Sequence, residues 1–403
     1  MGEKGKAFRW IVVLLMFFNI FVVYLSINCI PPLFREISND ISLTKFDMGL
    51  IMGVPFIAAI LFSLIGGGIS DRIGSKWALG SAIMLVAVFG ILRSFSGSTY
   101  ALSIHMFFIG AGMAILGPNI PKVIGTYFSS KQFATVNALC IIGMPLGGAV
   151  GMGISAGILS PALGGWRGVM VGLGLVAMVS GLLWMVFFKD SAIASIEKKE
   201  EQSMAENFKK VFRVKDIWWL GLYGFLAMAG TMALIALLAN ILSERGLTAA
   251  RAGALVSIML GVSTVFKIVG GVLSDRVGSR KPFLIIGALV QGICTIAFAA
   301  FSGMPLVVVL IICGIGMGVI PPIFFVIPLE LKEIGPPLAA TATGLIFMLS
   351  NAGGFFGPII SGKIMDLTGT HWPGFLFMGA LLIIAAFCIF PMRETGRKAR
   401  VKK

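Results

Sequence analysis

Long apolar runs separated by short polar stretches recur along the whole chain. Each run is close to the roughly 20 residues that an α-helix needs to cross the hydrocarbon core of a bilayer. The first run is too long for the apolar region of a signal peptide, so we expect it to remain as a span. The pattern predicts an all-α membrane protein with twelve spans, at 10–30, 48–69, 77–95, 100–123, 133–159, 166–188, 217–242, 252–273, 282–301, 305–328, 338–365 and 372–390.

The polar stretch after the second span is nearly repeated after the eighth. The first copy, 67–76, reads GGISDRIGSK, and the second, 271–280, reads GVLSDRVGSR. Further positions match in the same order along both halves. An offset of 204 residues relates Gly49, Asp71, Arg72, Gly110 and Pro118 to Gly253, Asp275, Arg276, Gly314 and Pro322. An offset of 206 residues relates Gly147, Gly148, Gly151 and Trp166 to Gly353, Gly354, Gly357 and Trp372. The chain is thus predicted to repeat one unit in parallel, as many transporters do.

This repeat divides the chain into two six-helix bundles, at 1–188 and 217–392. The charged stretch 189–216 is predicted to be a cytoplasmic linker, part of it a helix lying along the membrane surface. The polar stretch 31–47 is expected to be a turn on the outside. The tail 393–403 is basic, and we expect it to be cytoplasmic and disordered.

The composition excludes most classes of soluble protein. The chain is 58% hydrophobic and 12% charged, so lipid must be its solvent. A formal net charge of +15 could suggest nucleic acid, but most of the 32 Lys and Arg fall in predicted loops and tails on one side. This positive-inside pattern places a multi-pass protein in the cytoplasmic membrane with both termini in the cytoplasm, and no nucleic-acid partner is expected.

The five cysteines and two histidines provide no cofactor site. All five cysteines lie in apolar runs without a CxxC pair, so we interpret them as small core residues. No metal or redox cofactor is implied. An enzyme is not expected either, because no nucleophile, base and orienting group can be gathered at one depth.

The doubled loop motif resembles the motif between the second and third spans of the major facilitator superfamily. Residues 142–148, IGMPLGG, are similar to the Pro-Gly motif of its fifth span. Ser75 and Ser279 stand where the family usually has a basic residue. The resemblance implies two bundles rocking about a central cavity, with a cytoplasmic latch of charge pairs and helix-end contacts at Gly67, Asp71, Arg72, Gly74, Lys76, Gly271, Asp275, Arg276, Gly278 and Arg280. The alternative is that these cations only set the topology.

Lys267 is the clearest candidate for substrate binding. It lies eight residues before Asp275, which marks the inner interface, and so sits about 12 Å into the hydrocarbon. Its side chain is too short to reach the cytoplasmic surface easily, and a central Lys costs about 2.5–3.5 kcal/mol. We therefore expect Lys267 to face a wet cavity and bind an anion, with the Ser263 hydroxyl one turn earlier on the same face. The alternative is a structural lysine paired with helix carbonyls.

Weaker candidates surround this one. Lys122 follows a Pro-rich stretch with Asn119 on its face, and it is either a second anchor or a cation that reaches the interface. Other polar residues within spans could line the cavity or bond helices together. They are Asn19, Tyr24, Asn28, Thr231, Asn240 and Asn351.

None of the 17 acidic residues falls deep in a span, so coupling through a buried carboxylate is not expected. Facilitated transport, anion exchange and co-transport of a proton with the anion all stay open. Nitrate-type members of the superfamily carry paired arginines in spans two and eight, whereas Ser63 is the counterpart of Lys267 here. Monocarboxylate-type members carry a cation in span eight.

The prediction is therefore a monomeric secondary or facilitative transporter of a small organic anion such as a monocarboxylate. One alternative is a porter of an inorganic anion such as nitrate or cyanate. A second is an exporter of neutral or lipophilic compounds, with Lys267 structural. A receptor with a transporter fold is a third, and no appended soluble domain supports it.

Overall fold

The computed structural model describes residues 3–128, 130–188 and 204–397, and every regular element in these ranges is helical. Short turns of 3-10 or π-helix follow some of the α-helices. The α-helices are α1 Glu3–Asn28, α2 Phe34–Asp40, α3 Lys45–Leu92, α4 Thr99–Tyr127, α5 Ser130–Ile141, α6 Gly143–Ile154, α7 Ser160–Leu163, α8 Trp166–Phe187, α9 Met204–Phe212, α10 Lys215–Glu244, α11 Ala249–Val277, α12 Lys281–Ala297, α13 Gly303–Phe324, α14 Ile327–Glu330, α15 Gly335–Thr368 and α16 Trp372–Cys388.

Every predicted span coincides with helical structure in these ranges. Ten segments are long and apolar enough to cross a membrane. Two further apolar helices, α12 and α16, have 17 residues each and occupy the predicted positions nine and twelve. At 1.5 Å per residue they are about 25 Å long, near the thickness of a hydrocarbon core. The predicted all-α membrane architecture is confirmed.

The stretch after the first span is not the polar turn predicted from its charges. A 3-10 turn at Pro31–Leu33 leads directly into α2. Leu33, Phe34 and Ile37 are fully buried there, while Arg35 is exposed. The prediction was wrong because the charged side chains occupy one face of a short amphipathic helix, whose apolar face packs inward.

Both copies of the loop motif form a tight hairpin around a glycine. Within α3, Gly74 has a φ of 82° and a ψ of 158°, which breaks the helix between the second and third spans. In the second copy α11 ends at Val277, and Gly278 follows with a φ of 71°. A side chain is strained in this left-handed region, so the motif requires glycine at both positions.

The described chain forms two compact units. The first consists of most of the N-terminal half together with Leu238–Ser257, and the second of most of the C-terminal half together with Thr44–Gly49. The start of the second span thus packs within the second unit, and the start of the eighth span packs within the first.

These two packing arrangements use contacts related by the repeat. In the second unit, a Cβ at Gly49 would lie 2.3 Å from the carbonyl oxygen of Pro358. In the first unit, a Cβ at Gly253 would lie 2.4 Å from the carbonyl oxygen of Met152. The offsets of 204 and 206 relate Gly49 to Gly253 and Met152 to Pro358. The same backbone approach therefore occurs twice, and only glycine permits it.

The motif of the fifth span works in the same way. A Cβ at Gly147 would lie 2.2 Å from the carbonyl oxygen of Phe21 in α1. Its counterpart Gly353, in α15, would place a Cβ 2.0 Å from the carbonyl oxygen of Phe225 in α10. Glycine at these positions brings two helix backbones into contact in each half, as the repeat predicted.

Candidate functional site

Lys267 lies on the side of α11 that faces away from the exposed apolar surface. That surface is a stripe of seven residues along the helix: Ile258, Val265, Ile268, Val269, Val272, Leu273 and Val277. At 3.6 residues per turn, Lys267 is about 175° around the helix from the centre of this stripe. Lys267 itself is partly buried. If the stripe contacts lipid, the ammonium group cannot.

The neighbouring face of α11 packs closely against α13. A Cβ at Gly314 would lie 2.5 Å from the carbonyl oxygen of Met259, and one at Gly318 would lie 2.4 Å from that of Ser263. Ser263 is only 1% exposed. Ser263 and Lys267 therefore share the buried side of the helix, one turn apart, and the α13 contact fixes the helix rotation that sets this orientation.

The Lys267 ammonium has no hydrogen bond or ion pair to any other residue in the described part of the chain. Neither a protein carboxylate nor a helix carbonyl neutralises it there. A buried ammonium group costs free energy unless an anion or several acceptors compensate it. The arrangement favours a charge that is available to a mobile anion over the structural alternative.

Lys122 is held at the base of the first loop motif. Its Nζ donates to Ser70 Oγ at 3.1 Å, and Ser70 Oγ lies 3.2 Å from Ser75 Oγ across the hairpin. Asn119 is fully buried, and its amide donates to the carbonyl oxygen of Ile115 at 2.7 Å. These contacts connect Lys122 to the hairpin within the first unit, and its role as a second anchor stays a prediction.

The polar residues predicted to line a cavity bond mostly within their own helices. The Asn28 amide donates to the Tyr24 carbonyl at 2.9 Å, and the Asn351 amide to the Phe347 carbonyl at 2.8 Å. Asn240 donates to Glu244 Oε1 at 2.8 Å. None of these hydrogen bonds joins a predicted residue to Lys267.

Two other polar residues join neighbouring helices. The Asn19 side chain in α1 accepts a hydrogen bond from Ser180 in α8. Thr231 Oγ1 in α10 accepts from Gln291 Nε2 in α12 at 2.8 Å. In a membrane such bonds stabilise helix packing, so the structure favours the packing role for Asn19 and Thr231.

The second loop motif contains an ion-pair network centred on Arg280. Its guanidinium donates to Asp275 Oδ1 at 2.7 Å, Ser274 Oγ at 2.9 Å and Glu330 Oε1 at 2.8 Å. The hydrogen bond to Glu330 is the main cause that raises the pKa of Arg280. Asp275 thus pairs with Arg280 and not with its neighbour Arg276, because adjacent helical side chains point about 100° apart. The hairpin brings Arg280 back beside Asp275.

The first part of the C-terminal tail is docked on this network. The Glu394 carboxylate accepts from the backbone N–H of Arg280 at 2.7 Å and of Lys281 at 3.3 Å, at the N-terminus of α12. Lys281 Nζ in turn donates to the carbonyl oxygens of Phe390 and Met392, at 2.9 and 2.6 Å. A carboxylate at a helix N-terminus satisfies free N–H groups and complements the helix dipole.

Arg393 fixes the same segment from the other side. It pairs with Asp216 at 2.6 Å and with Glu333 at 2.6 Å, and this hydrogen bond holds the pKa of Glu333 below its ordinary value. The prediction of a disordered tail was wrong for residues 393–397, because acidic residues outside the tail compensate its basic side chains. Residues 398–403 lie outside the described part.

The first loop motif is described only in part. Arg72 is exposed, and Lys76 Nζ lies 5.8 Å from the centre of the Trp77 ring. Gly67 and the Asp71 side chain lie outside the described side chains, as does most of the linker 189–216. The latch predicted from both copies therefore stays a prediction.

Arg93 is a buried cation that the sequence analysis did not single out. It lies in the 3-10 turn Arg93–Phe95 at the end of the third span, and it is 0% exposed. A helix end usually has access to water, and the packing of α1, α4 and α8 around this turn removes that access. As for metals, the described residues contain no cluster of three or more His, Cys, Asp or Glu that could hold one.

Two repeated sets of membrane-length helices, with one buried cation on the eighth span, define a helical membrane transporter. Residues 16–331 and 220–403 match the family model of the Major Facilitator Superfamily, and the chain belongs to this family.

Two relatives align with nearly the whole chain. It is 25% identical over 384 residues to the probable nitrate transporter NarT of Staphylococcus carnosus, covering 93% of this chain and 94% of the relative. It is 27% identical over 367 residues to the nitrite extrusion protein of Bacillus subtilis, covering 88% of this chain and 87% of the relative.

Solved structures agree on the fold. A bacterial homologue of the human lysosomal transporter Spinster, inward-facing and unoccupied, matches with a TM-score of 0.83 at 16% identity over 98% of both chains. The nucleoside transporter NupG matches with a TM-score of 0.75 at 17% identity, covering 96% of this chain and 98% of that chain.

Proposed function

We propose that this transporter moves a small inorganic oxyanion of the nitrate or nitrite class, with the Lys267 ammonium as its binding charge. The observation that carries the proposal is Lys267 itself, on the side of α11 opposite the exposed stripe and without a counter-charge among the described residues. The names of the two relatives supply the chemical class.

The expected preference for an organic monoanion has less support. It rested on one cation in the eighth span and on Ser63 at the repeat-related position. In the structure Ser63 Oγ only approaches the carbonyl oxygen of Ile60, at 3.4 Å. A single lysine suits carboxylates and oxyanions equally well. The relatives align with about nine-tenths of this chain and are named for nitrate and nitrite, so they favour the inorganic alternative.

A single buried ammonium gives a simple mode of binding. The anion loses part of its hydration on entering the membrane region and gains an ion pair with Lys267 and a hydroxyl donor from Ser263. Nitrate carries one negative charge, so the occupied site is neutral. A neutral site has a lower free energy in a low-dielectric region than the empty, positively charged one. Exchange of one monoanion for another would leave the charge of the site unchanged.

We also propose that both ends of the chain lie in the cytoplasm.

Uptake into liposomes tests the proposal. The purified chain is reconstituted, and entry of nitrate, nitrite, a small carboxylate and a neutral solute is compared in the wild type and Lys267→Gln. We expect nitrate or nitrite entry that the variant loses. Lys363→Gln is the matched control, since it removes an exposed lysine of α15 that is not a candidate for the site. Entry of the carboxylate alone would restore the organic-anion alternative, and neutral-solute transport unaffected by Lys267→Gln would make Lys267 structural.

A further inference from the structure

The buried Arg93 is a second cation in the membrane region, and it lies in the first unit. It has a fully buried guanidinium at the end of the third span, packed between α1 and α4. Its Nη1 donates to the carbonyl oxygen of Ser26 at 2.8 Å and lies 3.4 Å from the sulfur of Met106. Its position has no repeat-related cation, since the offset of 204 residues leads to Ala297.

The other donors of this guanidinium are unused. Arg93 Nε and Nη2 are buried and have no hydrogen-bond partner among the described residues. No carboxylate in those residues forms an ion pair with it. A buried positive charge without a partner is unfavourable, because desolvation is not offset. The geometry therefore requires a further counter-charge or acceptor.

Two buried hydroxyls on residues at or one turn from these Arg93 contacts are also unused. The Ser26 hydroxyl is on the residue whose carbonyl already binds Arg93, and the Ser103 hydroxyl is one turn from Met106 on the same face of α4. Both residues are buried, at 1% and 7% exposure, and neither Oγ has a partner in the described structure. On the side of Nη2, Gly90 has no side chain, and a Cβ there would lie in contact range, 3.8 Å from that nitrogen and 3.4 Å from the Cα of Gly174.

This set of groups has the chemistry of an anion site. The guanidinium offers two N–H-bearing nitrogens in a fixed plane, and each hydroxyl can donate one hydrogen bond. One positive charge matches one negative charge, so a monovalent ion such as chloride or nitrate fits and a dianion does not. A metal cation is excluded by the charge of the guanidinium itself.

We propose that Arg93, together with the Ser26 and Ser103 hydroxyls, binds a small monovalent anion within the N-terminal half. This site is separate from Lys267 and does not rest on the proposed transport function. The bound anion is either chloride or the transported oxyanion, and both share this chemistry. The Cys29 thiol also interacts with the guanidinium, and as a thiolate it would be the competing, internal counter-charge.

Thermal unfolding of the purified full chain tests the site. The Lys267→Gln variant is used throughout, so that loss of the proposed transport site cannot affect the result. Chloride and nitrate are each titrated against gluconate at constant ionic strength. We expect a saturable rise in Tm with at least one of the two small anions, and the more effective one identifies the ion. A Tm that depends on neither anion would overturn the proposal.

Serine variants localise the effect without removing the charge. We expect Ser26→Ala and Ser103→Ala each to weaken the apparent anion affinity several-fold and the pair to abolish the response. Ser180→Ala is the matched control: it removes a buried serine hydroxyl elsewhere in the same unit and should keep the anion response. An unchanged response in the double variant would contradict the site.

Crystals grown in bromide provide a readout that does not depend on the folding of the serine variants. Anomalous density beside the Arg93 guanidinium would support the proposal. Absence of density there would refute it, and a large loss of Tm in both Cys29→Ala and Cys29→Ser would then assign the counter-charge to the thiolate.

Discussion

The two halves of the chain repeat one helical unit but place their charges differently. The C-terminal half has Lys267 in the interior of a span, where the N-terminal half has Ser63. The N-terminal half instead has Arg93, fully buried at the end of a span. The loop motifs differ as well, because Glu330, which pairs with Arg280 in the second copy, has the uncharged Thr126 as its counterpart in the first. The two halves thus share the glycines that set their helix packing, and they differ in the positions of their charged side chains.

The largest effect should come from the charge at position 267. Removing one member of a desolvated charge pair costs about 2–4 kcal/mol, or roughly 30- to 1000-fold. We expect Lys267→Gln to lower anion transport by that factor, and Lys267→Arg to retain a measurable part of it because the charge remains. Initial rates in liposomes, with equal reconstituted protein, measure both. Equal rates in Lys267→Arg and Lys267→Gln would show that charge is not the property that matters.

The second effect separates the two loop motifs. Arg280 and Glu330 are largely buried, and hydrogen bonds between charged groups contribute about 1.5–3 kcal/mol each. We expect Glu330→Gln to lower the Tm clearly, whereas Thr126→Val in the first copy costs less than about 1 kcal/mol, because Thr126 only donates to the Lys122 carbonyl of its own helix. Thermal unfolding in detergent compares them. A larger loss of Tm in Thr126→Val than in Glu330→Gln would contradict the stabilising role assigned to the Arg280–Glu330 pair.

The shared glycines should, by contrast, respond alike. A Cβ at Gly49 or Gly253 would lie within 2.3 or 2.4 Å of a backbone carbonyl oxygen, and overpacking costs about 1–3 kcal/mol. We therefore expect Gly49→Ala and Gly253→Ala to lower the Tm by similar amounts. Gly97→Ala is the control, since nothing lies within 4 Å of a Cβ there. A loss confined to one of the two would show that the repeat-related contacts are not equivalent.

The smallest effect concerns the docked tail at residues 393–397, a feature of the C-terminal half. The folded pKa of Glu333 is lowered by Arg393, so its contribution is present at neutral pH and is lost as the pH falls through that lowered value, below its ordinary pKa of about 4.3. The pair is exposed and is expected to contribute less than about 1 kcal/mol. The protection factors of residues 393–397, which correct hydrogen exchange for its intrinsic rate at each pH, should fall at low pH in the wild type. In Glu333→Gln they should be lowered already at neutral pH; equal protection in both would exclude this contact.

The sequence was sufficient for the features that depend on spacing along one helix. The twelve helical positions, the repeat and the orientation of Lys267 opposite an apolar stripe all follow from periodicity and offsets. The hairpin at Gly74 and Gly278 followed from the need for glycine at a tight turn.

Features that depend on contacts between distant segments could not be predicted. Arg93 is buried because α1, α4 and α8 cover a helix end, and the pairing of Asp275 with Arg280 needs the geometry of the hairpin. The tail is ordered because Asp216 and Glu333, far away in sequence, meet Arg393. Charge alone was also misleading at α2, where a buried apolar face accompanies an exposed charged one.

The most direct test of the central claim is equilibrium binding of labelled nitrate to the purified chain, with Lys363→Gln and Lys267→Gln measured in parallel. The account predicts saturable binding in the wild type and Lys363→Gln and a reduction of at least about 30-fold in affinity in Lys267→Gln. Residual binding at the proposed Arg93 site would be identified by its loss in Ser26→Ala/Ser103→Ala. Nitrate binding of unchanged affinity and stoichiometry in Lys267→Gln would contradict the account.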